Sequence, residues 1–323
     1  MYQRVPRQKK KVWKIMATIF LAKPRGFCAG VERAVDIVKL ALKKLGKPIY
    51  VRHEIVHNQH VVNSLKEKGA VFVDELNNIP EGSTVVFSAH GVSPQIKQQA
   101  ANLGLNVIDA TCPLVTKVHI EAKLYYGRGY SIVLIGHKNH QEVIGTIGYS
   151  PMMLVENIED VKNLDIKNDK IMCLTQTTLS MDDTKEIIKA LKEKYPNVNL
   201  PPKEDICYAT QNRQNAVKEL AKKCDLILVI GAKNSSNSNR LVDTAEHMNV
   251  ESHLIQSYKD IKDVLRYTNI GIISGASTPE ILVKEVIDYL KTVKAFKVEN
   301  LDVIDEDIKF PLPRGLTEGI IAK

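Results

Sequence analysis

Three cysteines of this 323-residue chain share a sequence context that suits metal ligation. Cys28 and Cys112 follow apolar runs, Cys207 follows the polar-apolar stretch D-I, and a helical pattern begins after each of them. Unpaired N–H groups and the positive end of the helix dipole favour a thiolate at such a place. Because the three lie 84 and 95 residues apart, they predict one site assembled from three parts of the fold.

Two kinds of metal centre fit three thiolates. Soft sulfur ligands suit zinc or an iron–sulfur cluster. A cubane cluster ordinarily has four cysteine ligands, so three would leave one iron open. A zinc site with three ligands would keep one position for water. The two other cysteines, Cys173 within I-M-C-L and Cys224, are interpreted as small buried apolar residues.

Histidines form the second signal, because five of them lie in loops that follow predicted strands: His53, His57, His90, His137 and His140. They indicate a shared pocket that binds an anion rather than a metal. His53 and His57 are four residues apart, but their segment does not have the pattern of a zincin helix with a carboxylate base. Glu142 follows two residues after the last of them and is predicted to be a proton donor. Thr177 and Thr178, in Q-T-T-L-S, are its predicted hydroxyl partners.

A polar run, N-S-S-N-S-N at 234–239, follows the strand-like L-I-L-V-I and precedes a helical pattern. Hydroxyls, amides and free N–H groups at that position hold phosphate groups well. The segment S-G-A-S at 274–277 is similar. No P-loop and no G-x-G-x-x-G fingerprint is present, which disfavours nucleotide binding. Lys117 and Arg213 are interpreted as structural or solvated helix residues.

Short apolar strands alternate with amphipathic helices along the whole chain, a pattern typical of α/β proteins with parallel sheets. We predict three small α/β domains in a pseudo-threefold trefoil, at 17–111, 112–206 and 207–295. Residues 1–16 form a basic tail in this division and 296–323 a C-terminal tail. Ligands of such sheets bind beyond the carboxyl ends of the strands, where the polar residues above cluster.

The net charge of +8 comes mostly from residues 1–16, which contain six Lys or Arg and no acid. Without these six, 39 basic residues face 37 acidic ones, so nucleic-acid binding by the body has little support. No apolar run approaches the roughly 20 residues of a membrane helix. We expect a cytoplasmic protein with reduced thiols. The tail fits a disordered extension, an alternative start near Met16 or the remnant of an organelle-targeting segment.

Seven stretches resemble the 4-hydroxy-3-methylbut-2-enyl diphosphate reductases of the non-mevalonate isoprenoid pathway. They are P-R-G-F-C-A-G-V, Y-V-R-H-E-I-V-H-N, F-S-A-H-G-V-S, D-A-T-C-P-L-V-T-K-V-H, Q-T-T-L-S, D-I-C-Y-A-T and K-N-S-S-N-S-N-R-L. The resemblance runs from about residue 17 to 312. Residues 1–16 lie outside it, so it implies nothing about the tail.

The resemblance implies a trefoil around one [4Fe-4S] cluster with three cysteine ligands and an open iron. The ligands would be Cys28, Cys112 and Cys207. Substrate would be bound by His57, His90, His140, Thr177, Thr178, Ser235, Ser236, Asn237 and Ser277. His140, Thr177 and Glu142 would lie near its hydroxyl group, with Glu142 donating protons. A ferredoxin or flavodoxin would supply electrons, and the products would be isopentenyl and dimethylallyl diphosphate.

Two other functions are compatible with the residues alone. A zinc hydrolase would use the three cysteines and a bound water. A non-enzymatic iron–sulfur sensor would need the cluster but no turnover.

Overall fold

The computed structural model describes residues 17–317, so the predictions for the basic segment 1–16 lie outside the described residues. Its strands are β1 (Ala17–Lys23), β2 (Ile49–Arg52), β3 (Ala70–Val73), β4 (Thr84–Phe87), β5 (Asn106–Asp109), β6 (Ser131–Ile135), β7 (Met152–Val155), β8 (Ile171–Thr175), β9 (Val198–Asn199), β10 (Leu226–Ile230), β11 (Glu251–Ile255), β12 (Asn269–Ser274) and β13 (Phe296–Asp302).

The helices are α1 (Ala29–Leu45), α2 (Gln59–Glu67), α3 (Pro94–Asn102), α4 (Pro113–Gly127), α5 (Gln141–Ile147), α6 (Ile158–Asn163), α7 (Met181–Lys194), α8 (Tyr208–Ala221), α9 (Ser236–His247), α10 (Glu280–Val293) and α11 (Arg314–Thr317). Short 3₁₀ turns lie at Leu76–Asn78 and Tyr258–Asp260. Over residues 17–317, no helix combines the length and apolar character that crossing a membrane requires.

The strands form three parallel sheets, which confirms the predicted fold class. The first sheet has the order β3-β2-β4-β5, the second β7-β6-β8-β9 and the third β11-β10-β12-β1-β13. The central strands β8 and β10 are buried at every residue. Helical cover on both faces explains why these strands are apolar runs without alternation.

The two ends of the described chain pack differently from what the predicted domain boundaries imply. Strand β1 lies in the third sheet, between β12 and β13, although 17–111 were predicted as one unit. Residues 296–323 were predicted as a tail, but β13 pairs with β1 from Ala17↔Phe296 to Lys23↔Asp302. Helix α1 then carries the chain to the first sheet. Pairing between distant strands has no local signature, so the alternation of elements could not reveal it.

Beyond β13 the chain returns from the third sheet to the first. Leu312 and Leu316 pack into the core beneath α1. The Arg33 side chain of α1 donates to the carbonyl oxygen of Pro311 over 2.8 Å. The C-terminal segment therefore connects the first and third sheets a second time, in addition to the connection through β1 and α1.

Lys117 and Arg213 are structural, in agreement with the interpretation of the sequence. Lys117 Nζ lies 2.6 Å from Oδ1 of the buried Asp205 and ties α4 to the segment before α8. Arg213 is fully buried, donates to the carbonyl oxygen of Gly26 over 2.8 Å and pairs with Glu306 at 3.1 Å. Buried charges persist only when they are paired and hydrogen-bonded in this way.

Candidate active site

The three cysteines occupy equivalent places in the three sheets. Cys28, Cys112 and Cys207 precede α1, α4 and α8 as N-cap residues. They follow β1, β5 and β9, which belong to the third, first and second sheets. The sequence context therefore identified a geometric repeat that has no repeated sequence.

One hydrogen bond recurs at each cysteine and fixes its backbone. The N–H of Cys28 donates to Ala276 O over 3.1 Å, that of Cys112 to Ala89 O over 3.0 Å and that of Cys207 to Thr177 O over 3.0 Å. Each acceptor lies in the loop after the neighbouring strand of the same sheet. Those three loops also carry Ser277, His90 and Thr178, so cysteines and predicted substrate residues are positioned together.

A cavity at the junction of the three sheets is bordered by all three cysteines. It encloses about 690 Å³, including the part open to solvent. A Cβ atom on Gly30 would lie 2.6 Å from Cys112 Sγ and 3.9 Å from Cys28 Sγ, so only glycine leaves room beside the thiols. Each of the predicted site residues lines the same cavity: Cys28, His57, His90, Cys112, His140, Glu142, Thr177, Thr178, Cys207, Ser235, Ser236, Asn237 and Ser277.

Burial raises the pKa of two of these thiols, Cys112 and Cys207. It raises the pKa of Cys112 to about 12, and the neighbouring Cys28 adds to the shift. It raises the pKa of Cys207 to about 11. The N–H groups of Leu114 and Val115 lower the pKa of Cys112, as expected at a helix start, but the burial effect is larger. The protein alone therefore disfavours the thiolates of Cys112 and Cys207, which the position at a helix start was predicted to favour.

Glu142 is a carboxyl group buried in the cavity wall. Its Oε1 accepts from the N–H of Thr177 over 2.7 Å, and its Oε2 accepts from Thr177 Oγ1 over 2.8 Å. Burial raises the pKa of Glu142 to about 7, although both hydrogen bonds from Thr177 oppose the shift. Such a carboxylic acid can hold and release a proton near neutral pH.

His140 is the N-cap of α5 and presents one N–H to the cavity. Its Nδ1 accepts from the N–H of Glu142 over 3.2 Å, so the ring proton must lie on Nε2. Burial lowers the pKa of His140 to about 3, with further contributions from His57 and His137. The ring is consequently a neutral donor.

Three of the five histidines meet around the cavity. The ring of His57 stacks on that of His90 at 4.1 Å between centroids, and His140 lies 5.5 Å from the first ring and 5.9 Å from the second. Burial lowers the pKa of His90 well below its ordinary value, and the other two rings add to the effect. A bound anion would offset this crowding of potential cations.

The other two histidines lie outside this cavity, contrary to the predicted convergence of all five. His53 Nδ1 pairs with Asp74 at 3.2 Å, and His53 is not among the residues that line the cavity. His137 lies in a separate small cleft with Arg240 and Glu156. A residue that follows a strand lies at the edge of the sheet, but its side chain can still point away from the cavity.

Polar groups at the start of α9 also line the cavity. Ser235 is the N-cap of α9, and its Oγ accepts from the N–H of Ser238. Asn237 is 5% exposed, and neither its Oδ1 nor its Nδ2 has a hydrogen-bond partner in the structure. A Cβ atom on Gly275 would lie 2.1 Å from Ser238 Oγ, so this loop packs directly on the first helical turn. Unpaired buried amide atoms at a helix N-terminus are suited to a phosphate group.

The hydroxyl groups of two serines link the surrounding loops. Ser277 Oγ donates to the carbonyl oxygen of His57 over 3.0 Å and so joins the third sheet to the first. Ser236 Oγ donates to the carbonyl oxygen of Thr178 over 2.9 Å and joins the third sheet to the second. Thr178 Oγ1 accepts from Gln176 Nε2 over 2.8 Å.

The sequence argument missed Glu54, whose Oε2 lies 3.1 Å from His57 Nδ1 and 3.0 Å from Asn234 Nδ2. Only the spacing of three residues between Glu54 and His57 in H-E-I-V-H could have indicated it. The contact with Asn234 is tertiary and spans 180 residues of sequence.

Comparisons with known proteins agree with this geometry. The LytB protein family model matches residues 19–291. The 4-hydroxy-3-methylbut-2-enyl diphosphate reductase of Actinobacillus pleuropneumoniae serotype 5b is 53% identical over 306 residues, which cover 92% of this chain and 98% of that protein. The enzyme of the same name from Azoarcus sp. (strain BH72) is 52% identical, with 93% and 98% covered.

Solved structures give the same result. The E-1-hydroxy-2-methyl-but-2-enyl-4-diphosphate reductase of Plasmodium falciparum superposes with a TM-score of 0.92 at 41% identity, over 94% of this chain and 98% of that one. The structure of an (E)-4-hydroxy-3-methyl-but-2-enyl diphosphate reductase has a TM-score of 0.63 at 34% identity, over 86% and 100%. The chain therefore belongs to the LytB protein family, the family of the 4-hydroxy-3-methylbut-2-enyl diphosphate reductases.

Proposed function

We propose that this protein removes the allylic hydroxyl group of 4-hydroxy-3-methylbut-2-enyl diphosphate and releases isopentenyl and dimethylallyl diphosphate. One observation carries the proposal: a single cavity combines three thiols from three sheets, a buried carboxyl group that titrates near neutrality and an unpaired amide at a helix start. A metal-assisted removal of an allylic hydroxyl group from a diphosphate ester needs these three kinds of group.

The cofactor in this proposal is a [4Fe-4S] cluster held by Cys28, Cys112 and Cys207. In residues 17–317, no three His, Cys, Asp or Glu side chains are arranged around one metal ion. A cubane takes each thiolate on a different iron, which suits thiols that border one cavity from separate sides. When bound, the cluster would supply electrons one at a time and a Lewis-acidic iron with an open position.

The diphosphate would be held at the start of α9. Ser235, Asn237 and Ser277 line the cavity and offer hydroxyl and amide groups. Backbone N–H groups that a helix start leaves unpaired would add donors to the diphosphate. His57 and His90 would add donors from the first sheet. Binding the diphosphate at this end would place the hydroxyl-bearing carbon near Glu142 and the thiols.

Glu142 would move the protons. Held by both hydrogen bonds from Thr177, its carboxyl group would protonate the departing hydroxyl. Solvent would then reprotonate Glu142, with Thr177 Oγ1 accepting a proton from water as it passes its own to Oε2. The neutral N–H of His140 would hold the hydroxyl oxygen in place. In total a C–O bond breaks, a C–H bond forms and water leaves, with two electrons and two protons consumed. A ferredoxin or flavodoxin would deliver the electrons.

The rate should depend on pH through Glu142. A general acid acts in its protonated form, which predominates below its pKa of about 7 and is lost as the pH rises through that value. We expect kcat to fall about tenfold per pH unit above neutrality. Glu142→Gln should show no inflection there. Constant cluster absorbance across the pH range is the control, and a kcat that stays flat to pH 9 would contradict the assignment.

Anaerobic turnover tests the proposed function directly. Purified protein should be brown and contain iron and acid-labile sulfide, and with a reduced viologen it should convert the allylic diphosphate to both products. A zinc hydrolase would be colourless and need no reductant. An iron–sulfur sensor would be brown but would release no product, and either result would overturn the proposal.

A further inference from the structure

The helix that follows each cysteine packs on the next sheet of the molecule. Helix α1, after Cys28, packs on the first sheet, and the last strand of that sheet leads to Cys112. Helix α4, after Cys112, packs on the second sheet, and α8, after Cys207, packs on the third. Because β1 of the third sheet leads to Cys28, the three cysteine loops follow one another in a closed circle.

Each of these helices carries a basic residue in its second turn. Arg33, Lys117 and Arg213 follow their cysteines by five, five and six residues. Arg213 is fully buried, and the other two are partly buried. Each side chain contacts the segment that precedes the next cysteine of the circle. The three contacts therefore repeat a position in the fold without repeating a residue type.

Arg33 makes the first link, from the helix of Cys28 to the loop of Cys112. Its Nη1 donates to the carbonyl oxygen of Thr111, the residue before Cys112, over 3.1 Å. Its Nε donates to the carbonyl oxygen of Pro311 over 2.8 Å. Both acceptors are uncharged, so neither of them neutralises the guanidinium group.

Lys117 makes the second link, from α4 to the loop of Cys207. Its Nζ lies 2.6 Å from Oδ1 of Asp205, two residues before Cys207, and 2.8 Å from the carbonyl oxygen of Lys203. Oδ2 of Asp205 accepts from the N–H of Thr175 over 2.9 Å. Because Asp205 is held from both sides, the contact ties α4 to the segment that leads to Cys207.

Arg213 makes the third link, from α8 to the loop of Cys28, and closes the ring. Its Nη2 donates to the carbonyl oxygen of Gly26, two residues before Cys28, over 2.8 Å. Its Nη1 donates to the carbonyl oxygen of Ala209 over 2.9 Å and lies 3.1 Å from Glu306 Oε1. The charge of this buried cation is compensated by the carboxylate.

The charge of Arg33 acts on Cys112. Burial lowers the pKa of the Arg33 guanidinium, and the negative charges of Cys112 and Asp109 oppose that shift. Asp109 is itself paired with Lys97 at 2.8 Å. A positive charge beside a thiolate stabilises it, and it also favours the addition of an electron to a cluster that the thiolate holds.

We infer that Arg33, Lys117 and Arg213 are positioning residues that hold the three cysteine loops at the spacing one cluster requires, and that Arg33 also raises the reduction potential of that cluster. The backbone hydrogen bond at each cysteine fixes it against its own sheet, and the basic residue fixes the following helix against the next loop. This inference rests on the proposed function, because it takes the three thiols to bind one cluster.

The reduction potential distinguishes this role from a purely structural one. Arg33→Gln leaves no buried charge unpaired, because the acceptors of Arg33 are backbone carbonyl groups. A neighbouring charge typically shifts an ionisation by one unit or more, so the cluster should be about tenfold harder to reduce, which is ~59 mV for one electron. Arg33→Lys retains the charge and should restore most of the potential.

An anaerobic redox titration of cluster-loaded protein, followed by electron paramagnetic resonance, measures this effect. Lys39→Gln is the matched control, because it removes a charge from the same helix, where Lys39 pairs with Asp36 at 3.2 Å. An unchanged potential in Arg33→Gln would overturn the inference even if its iron content fell. A shift of the same size in Lys39→Gln would overturn it as well.

Iron retention tests the closed ring. The double variant Lys117→Met, Asp205→Asn removes the second link without leaving a buried carboxylate unpaired. Loaded with iron and sulfide, it should lose iron to a ferrous chelator about tenfold faster than the unmodified protein, because a charge-assisted hydrogen bond contributes roughly that factor or more. Cys224→Ser, which is expected to lower Tm away from the cavity, controls for global stability.

Two results of this second experiment would overturn the ring. One is unchanged iron retention in the double variant, and the other is an equally fast loss from Cys224→Ser, which would make stability the cause. Failure of the unmodified protein to take up iron and sulfide would instead contradict the proposed function itself, and this inference with it.

Discussion

Glu142→Gln is expected to lower kcat by about 10²- to 10⁴-fold with the cluster content unchanged, which corresponds to roughly 3–5 kcal/mol of barrier. Glutamine has the same size, its carbonyl oxygen can still accept the N–H of Thr177, and Thr177 Oγ1 can turn to accept from the new amide. The amide cannot donate a proton as a carboxylic acid does. Only the chemical step should therefore suffer.

Single-turnover kinetics and iron analysis on the same preparation check this expectation. Ser235→Ala and Asn237→Ala provide the contrast, because they remove groups that would hold the diphosphate and should raise KM more than they lower kcat. A near-normal kcat in cluster-loaded Glu142→Gln would mean that another group, such as His140 or the diphosphate, supplies the proton.

Replacing any one of Cys28, Cys112 and Cys207 with serine is expected to remove most of the iron and nearly all turnover. Each thiol is the single one that its sheet brings to the cavity, so no nearby sulfur can replace it. Cys173→Ser and Cys224→Ser are the matched controls. Both residues are buried in the cores of their sheets, away from the cavity.

Iron and acid-labile sulfide per folded chain are the measurements for this series. The two control variants should retain both, with a lower Tm, because a buried hydroxyl without a partner costs about 1–3 kcal/mol. Equal iron content in all five variants would refute the three-ligand assignment. Loss of iron from Cys173→Ser in folded protein would do the same.

Local sequence predicted the elements because the forces that form them are local. Strands β8 and β10 are buried on both faces, and a continuous apolar run can satisfy that environment. Proline at the first position of α4 marked the start of that helix. The place of β1 beside β13 depends instead on pairing between residues nearly 280 positions apart, for which neither strand carries a signal.

The candidate site was likewise predictable from the sequence only in part. Strand-to-helix transitions, read from sequence alone, located the cysteines, Glu142 and the polar run before α9, because parallel sheets place the ends of their strands at one edge. Only the tertiary structure decided that His53 and His137 turn away while Glu54 joins His57 to Asn234. It also set the proton affinities of Cys112 and Glu142, since these follow from burial, which many distant residues create together.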